Sequence, residues 1–258
     1  MSVATRSPKL VFFHDADVVE RSPEVLGRVG ESMRVHVPAY PGFEGHAEDA
    51  GRGWEAWDSA GDLALHFREA TVADAGPVHV MGAGFGGWVA LELALLAPRT
   101  LGSLVLVAPY GVKLFGRMER DFQDVLLLDA HEQVELGWAD PSRCHGIRMP
   151  GFPESSDDGQ HTHAFAERAT LARYGWKPFL HSRRLSRWFH TIDTPTLVVS
   201  GARDRMVHEG HSALLASRMP NAVHVEIPDA GHYPYLEQPE RFQAAVLDFY
   251  ARLEENQR

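Results

Sequence analysis

The stretch Val78-His79-Val80-Met81-Gly82-Ala83-Gly84-Phe85-Gly86-Gly87-Trp88-Val89-Ala90-Leu91-Glu92-Leu93-Ala94 carries the reading of the whole chain. Residues 78–81 have the composition of a short buried strand. Residues 88–94 are apolar on almost every side but that of Glu92, as in a helix packed against a sheet. The glycines between them suit a sharp strand-to-helix turn, the setting in which Gly-x-Ser-x-Gly sequences present a nucleophile. Gly84 stands at the serine position. The surroundings of a nucleophile are present, and the nucleophile is not.

Outward from this turn, short β-like runs alternate with helix-length ones. Strands are expected at 10–13, 33–37, 78–81, 104–107, 196–199 and 222–227. Helices are expected at 23–30, 54–72, 88–97, 208–219 and 239–253. Such alternation implies an α/β fold, a mostly parallel sheet flanked by helices on both faces. Residues 112–190 break the rhythm, with a loop-like patch at 149–159. They are expected to form a helical cap insertion, leaving 1–111 and 191–258 as the core.

The chain has 258 residues, 44% of them hydrophobic, enough for a sizeable core. A formal charge of −10 argues against a nucleic-acid partner. No apolar run approaches the roughly 18–20 residues that span a bilayer, so no membrane partner is expected. The first residues lack the apolar core of a secretory signal. A single cysteine, Cys144, cannot form an internal disulfide, which fits a cytoplasmic location.

Ligands of open parallel sheets bind at the carboxyl ends of the strands. Three such ends carry chemistry: the turn at Gly84, then Ser200-Gly201-Ala202-Arg203-Asp204, then Pro228-Asp229-Ala230-Gly231-His232. The order of turn, aspartate and histidine is that of a triad in which histidine takes the nucleophile's proton and the acid orients the histidine.

With His14-Asp15, Pro41-Gly42-Phe43, the turn at Gly84, Gly201-Ala202-Arg203-Asp204, Ala230-Gly231-His232 and Glu237-Gln238-Pro239 in this order, the chain resembles the α/β-hydrolase family over nearly its whole length. The stretch 106–113 is also similar to bacterial esterases and carbon–carbon bond hydrolases. The resemblance implies His232 as general base, Asp204 as its orienter, and an oxyanion hole built from the backbone N–H of Phe85 and one near Asp15 or Ala16. Three departures stand out. The serine is Gly84, the glycine usual after the first-strand histidine is Asp15, and little chain precedes the first parallel strand to form an opening hairpin.

Glycine cannot form an acyl-enzyme. What remains is a His–Asp dyad facing a small space, suited to lyase, cyclase or water-attack chemistry on a small-molecule substrate. The alternatives are a serine ester or carbon–carbon bond hydrolase that has lost its nucleophile at Gly84, and a non-catalytic small-molecule binder. On the first of these alternatives, serine at position 84 alone would complete a triad. No cofactor and no metal are expected, because His161-Thr162-His163 and His208-Glu209-Gly210-His211 lack zinc-site spacing and a third ligand. Cys144 has no activating neighbour in sequence. Trp138, Phe152, Trp176, Phe179 and Trp188 read as cap packing that could also line a pocket. The oligomeric state is left open.

Overall fold

A computed structural model describes residues 9–16, 26–41, 43, 59–72, 78–144 and 169–256. Six strands form one sheet: β1 (Lys9–Phe13), β2 (Arg34–His36), β3 (Val78–Ala83), β4 (Leu101–Val107), β5 (Thr196–Gly201) and β6 (Ala222–Ile227). Their order is β2-β1-β3-β4-β5-β6, and every pairing is parallel. Chain order reverses beside β1, so the loops after β1 and β3 open side by side at the carboxyl edge.

The inner strands β1, β3, β4 and β5 are largely apolar because both faces are covered. Val11, Phe13, Val80, Leu104, Leu106 and Val198 point into one core, with helices α2 (Ala60–Val72) and α3 (Gly84–Leu96). Leu10, Phe12, Met81, Val105, Val107, Leu197 and Val199 point into the other. There they meet α1 (Arg28–Ser32) and, at the end of the chain, a long helix over Pro239–Asn256.

The observed elements shift several expected boundaries. Strand β3 runs to Ala83 and α3 begins at Gly84 itself, so the glycine-rich turn is also the first turn of the helix. The helix expected at 208–219 is shorter, His211–Ser217, because Gly210 precedes it in a left-handed conformation at φ 75°. The helices expected to start at residues 23 and 54 are described only from Arg28 and Ala60. Their expected beginnings, Gly42, and the loop at 149–159 lie outside the described residues.

The segment joining β4 to β5 adds no strand to the sheet among the described residues. It contains α4 (Ala130–Gly137), a helical stretch at 169–175, and α5 (Arg183–Trp188). Asp129 and Glu132 close the start of α4 reciprocally, each side chain accepting the other's backbone N–H. Residues 112–129 are turns rather than helix. The cause is Asp121, which is buried and accepts the N–H groups of Leu114 at 2.6 Å and Phe115 at 3.2 Å as well as pairing with Lys113. A side chain that takes up backbone donors in this way competes with the helix for them.

The remaining helices, in chain order after β5, are α6 (His211–Ser217), α7 (Pro234–Glu237) and α8 (Pro239–Asn256). Among the described residues, no helix is long and apolar enough to cross a membrane.

Candidate active site

Three loops at the carboxyl edge meet at His232. Its ring is fully buried, and Nδ1 donates to Asp204 Oδ2 at 2.9 Å. The other Asp204 oxygen accepts the N–H groups of Met206 at 2.8 Å and Val207 at 3.2 Å, which fixes the carboxylate's orientation. Tyr110 stacks on the far face of the imidazole, ring centres 5.4 Å apart. The expected pair of Asp204 and His232 is therefore in hydrogen-bonding contact.

Helix α4, which sequence reasoning had placed only within a cap, holds both loops. Its last carbonyls have no partner inside the helix. The Leu136 carbonyl accepts Arg205 N–H at 3.3 Å, the Glu135 carbonyl accepts the Arg205 guanidinium, and the Gly137 carbonyl accepts His232 N–H at 2.7 Å. Glu237 locks the same junction. Its buried carboxylate accepts Ala139 N–H at 2.9 Å, Asp140 N–H at 3.2 Å and Gly231 N–H at 2.5 Å. The pattern Asp129-x-x-Glu132 was the one sequence signal for α4. Glu237 was visible only as part of a family motif.

At the turn, Gly84 has φ 48°, and its carbonyl accepts Tyr110 N–H at 3.0 Å. Gly86 is required by proximity, since a Cβ there would strike the backbone carbonyl oxygens of Phe13 and His14. A Cβ on Gly84 would instead overlap the carboxylate of Asp15. That single contact changes the reading of the site.

Asp15 is fully buried and reaches from the loop after β1 into the space beneath Gly84. Its Oδ1 accepts Ala16 N–H at 2.7 Å and Phe85 N–H at 3.0 Å. Of the two positions expected to supply a second oxyanion donor, Ala16 gives the N–H, while Asp15 gives the carboxylate that the two donors hold. Its Oδ2 lies 3.3 Å from His232 Nε2, and neither atom has a well-aligned hydrogen bond. Tyr40 steadies the loop by donating to the His14 carbonyl at 2.9 Å, and the His14 ring lies against it, centres 4.2 Å apart. Burial, reinforced by the charge of Asp15, keeps the Tyr40 phenol well above its ordinary pKa, so it stays a donor.

The geometry adds a constraint to two expectations. A serine Cβ at position 84 would overlap the Asp15 carboxylate, so a triad there requires that side chain to move. His232, expected as the general base, has a second charged neighbour beside Asp204. Burial alone would lower its pKa, but the charge of Asp204 and the adjoining Asp15 outweigh this and push it up to about 10. Near neutral pH it is an imidazolium between two carboxylates.

Other candidates fall away from the centre. His211 is buried, with Nε2 donating to the Val112 carbonyl at 2.9 Å, 3.6 Å from Asp121, and burial lowers its pKa. His208 lies against Phe115, and no cluster of metal-ligating side chains occurs among the described residues. His161, His163 and Phe152 lie outside them. Cys144, the single cysteine, is buried. Trp138 packs on Tyr233, Trp188 is half exposed, and Trp176 and Phe179 line a cavity of 380 Å³. A larger cavity of 540 Å³ is lined by Trp88, Glu92 and Tyr174, and the Tyr174 ring lies 5.7 Å from that of Phe85.

Residues 10–245 match the alpha/beta hydrolase family. The chain is 33% identical over 184 residues to a Pseudomonas syringae pv. syringae (strain B728a) protein provisionally named carbamate hydrolase RutD, covering 66% of each. It thus spans just under two thirds of that relative. It is 27% identical over 249 residues to 2-hydroxymuconate semialdehyde hydrolase of Pseudomonas sp. (strain CF600), covering 88% of this chain and 80% of that one. The fold is similar to that of a bacterial membrane phospholipase A, with a TM-score of 0.74 at 19% identity over 96% of this chain and 80% of the other. On sheet, loop order and family match together, the chain belongs to the alpha/beta hydrolase family.

Proposed function

We propose that this chain is an enzyme acting on a small organic molecule by water attack, with Asp15, His232 and Asp204 as its reacting centre, residues 112–190 as its cap, and no covalent intermediate on residue 84. The observation that carries the reading is His232 standing between two carboxylates, 2.9 Å from Asp204 and 3.3 Å from Asp15. Holding three ionisable groups out of water is costly unless their mutual contacts compensate. A relic would gain nothing from keeping them aligned. A serine hydrolase that has merely lost its nucleophile is disfavoured too, because the vacated space holds a carboxylate rather than nothing.

The proton inventory sets the order of events. His232 starts charged and becomes a base for water once the neighbouring charge of Asp15 is neutralised or displaced. The cavities of 540 Å³ and 380 Å³ are lined by Trp88 and Tyr174 and by Phe122 and Phe179 rather than by the three reacting side chains. The relatives' names supply candidate chemistries, hydrolysis of carbamates or of 2-hydroxymuconate semialdehyde, for the first substrate panel.

The test is turnover of small carbamates, esters and 2-hydroxymuconate semialdehyde by the protein and by His232→Gln. The variant should lose about 10²–10⁴ in kcat. The wild-type protein should take up no fluorophosphonate at any serine. A folded His232→Gln protein with undiminished turnover would remove the histidine from the reaction.

A further inference from the structure

We propose that the outer edge of β6, with the groove between β6 and α8, is a self-association surface. Its partner is a second copy of this chain, whose β6 pairs antiparallel to the first about Val225.

Strand β6 (Ala222–Ile227) ends one side of the sheet, and among the described residues no strand covers its outer side. Its inner side is fixed by the bonds to β5. The Asn221 carbonyl accepts Thr196 N–H at 2.9 Å, and the Ile227 carbonyl accepts Ala202 N–H at 3.0 Å. Backbone groups alternate in direction along a strand, so the odd-numbered residues serve β5. The N–H and C=O groups of Ala222, His224 and Glu226 therefore face outward. Edges left in this state are commonly blunted by lysine, proline or a bulge. Strand β6 contains no lysine or proline, and its register with β5 runs unbroken.

The side chains alternate too. Val223, Val225 and Ile227 share the face toward α8, where a groove of 820 Å³ separates the strand from Phe249 and Leu253. Val223 is 49% exposed, so this apolar face continues out to the edge. His224 and Glu226 share the other face, where His224 Nε2 lies 2.9 Å from Ser200 Oγ.

The order of residues along the edge selects the occupant. In antiparallel pairing centred on Val225, each His224 lies opposite Glu226 of the second copy, each Val223 lies opposite Ile227, and the two Val225 side chains meet on the axis. His224 and Glu226 are the outward-facing residues, so they exchange the backbone bonds. The valines and isoleucines fall in the pairs between, whose side chains approach more closely. Opposite charges facing each other across two strands are favourable, and like charges are not. Moving the centre to His224 would set histidine against histidine, and moving it to Glu226 would set glutamate against glutamate. Pro228, which has no N–H, ends the ladder just beyond. The groove's rim carries Arg241, Asp248 and Arg252, both signs on one helix, as a patch that must match itself about a two-fold axis requires.

The experiment is sedimentation equilibrium of the full chain. At about 50 µM, above the micromolar Kd of the weaker interfaces of standard size, the mass should be that of two copies. Proline is tolerated in a strand where the N–H faces away from the sheet, so Glu226→Pro should keep the β5–β6 pairing and abolish the dimer. Val223→Lys, at a half-exposed position, should abolish it from the groove side. Glu226→Lys acts twice across the axis and should weaken dimerisation about tenfold. Combining it with His224→Glu should restore dimerisation, because the charges are exchanged within the same register. A wild-type monomer at this concentration overturns the proposal. So does a dimer that survives both Glu226→Pro and Val223→Lys with unchanged circular dichroism, or a folded double variant that dimerises no better than Glu226→Lys.

Discussion

Two turns face each other at the carboxyl edge of the sheet, residues 82–86 after β3 and residues 14–16 after β1. The family pattern to which this chain is similar puts a side chain in the first and a glycine in the second. Here the assignment is exchanged. Gly84 has no side chain, and Asp15 fills the space that Gly84 leaves open. Each departure taken alone looks like damage, the first a lost nucleophile and the second a blocked oxyanion hole. Together they are complementary, because the backbone donors of Phe85 and Ala16 keep an anionic partner throughout.

The largest effect should come from breaking one side of this exchange. Gly84→Ser forces a Cβ into the Asp15 carboxylate and puts a non-glycine residue at φ 48°. Strain of ~1–3 kcal/mol for the backbone and ~1–3 kcal/mol for overpacking together predict a loss of about 3 kcal/mol or more in denaturant unfolding. Asp15→Gly combined with Gly84→Ser should recover most of that loss, a coupling energy at the upper end of the ~0.5–3 kcal/mol expected for residues in contact. The double variant alone should label with a fluorophosphonate. Additive losses in the two single variants would mean that the two positions are independent.

The next effect is pH-dependent and tests the electrostatic side of the same contact. His232 has a pKa raised in the folded protein to about 10, against 6.5 for an ordinary histidine. A folded state that binds a proton more tightly than the unfolded one is stabilised fully below the unfolded pKa. That stabilisation is lost as pH rises through the folded value. Stability should therefore fall between about pH 6.5 and 10, over and above any general alkaline effect. Asp15→Asn should lower the His232 pKa in ring-nitrogen NMR and flatten that slope. An unchanged titration in a folded Asp15→Asn protein would show that the 3.3 Å ion pair carries no energy.

How much of this was legible in the sequence follows from which interactions are local. The turn at 82–87 and the order of strands and helices were readable, because glycine spacing and apolar periodicity are short-range signals. Asp204 and His232 were readable because each lies in the loop after a strand, in the expected order. The contact between Asp15 and Gly84 was not, since it joins residues 70 apart and 69 apart from Phe85 and Gly84 through a carboxylate whose direction only the packed loop decides. The turns at 112–129 were misread for a similar reason. Asp121 looks like one charge among several on a solvated helix, yet it is buried among backbone donors and its pKa lies below the ordinary carboxylate range. Burial would raise that pKa, but the bonds from Lys113, Leu114 and Phe115 outweigh it.

The smallest effect concerns the third loop, which the exchange leaves alone but depends on. Glu237 ties Gly231, just before His232, to Ala139 and Asp140, just after α4. Burial raises its pKa despite those three N–H donors, so its charge is held at some cost. Glu237→Gln keeps the shape and one acceptor oxygen but puts an NH₂ group against a backbone N–H. A loss of ~1–3 kcal/mol is expected for a buried donor left without an acceptor. If the loop only needs to be filled, the ring of His232 will keep its raised pKa in the variant and only stability will fall. If Glu237 sets the histidine's position between Asp15 and Asp204, the pKa will drop along with stability. The structure favours the second outcome, because His232 N–H is bound to the Gly137 carbonyl at 2.7 Å, within the same junction. A variant with lowered stability and an unmoved His232 resonance would show that Asp15 and Asp204 alone position the ring.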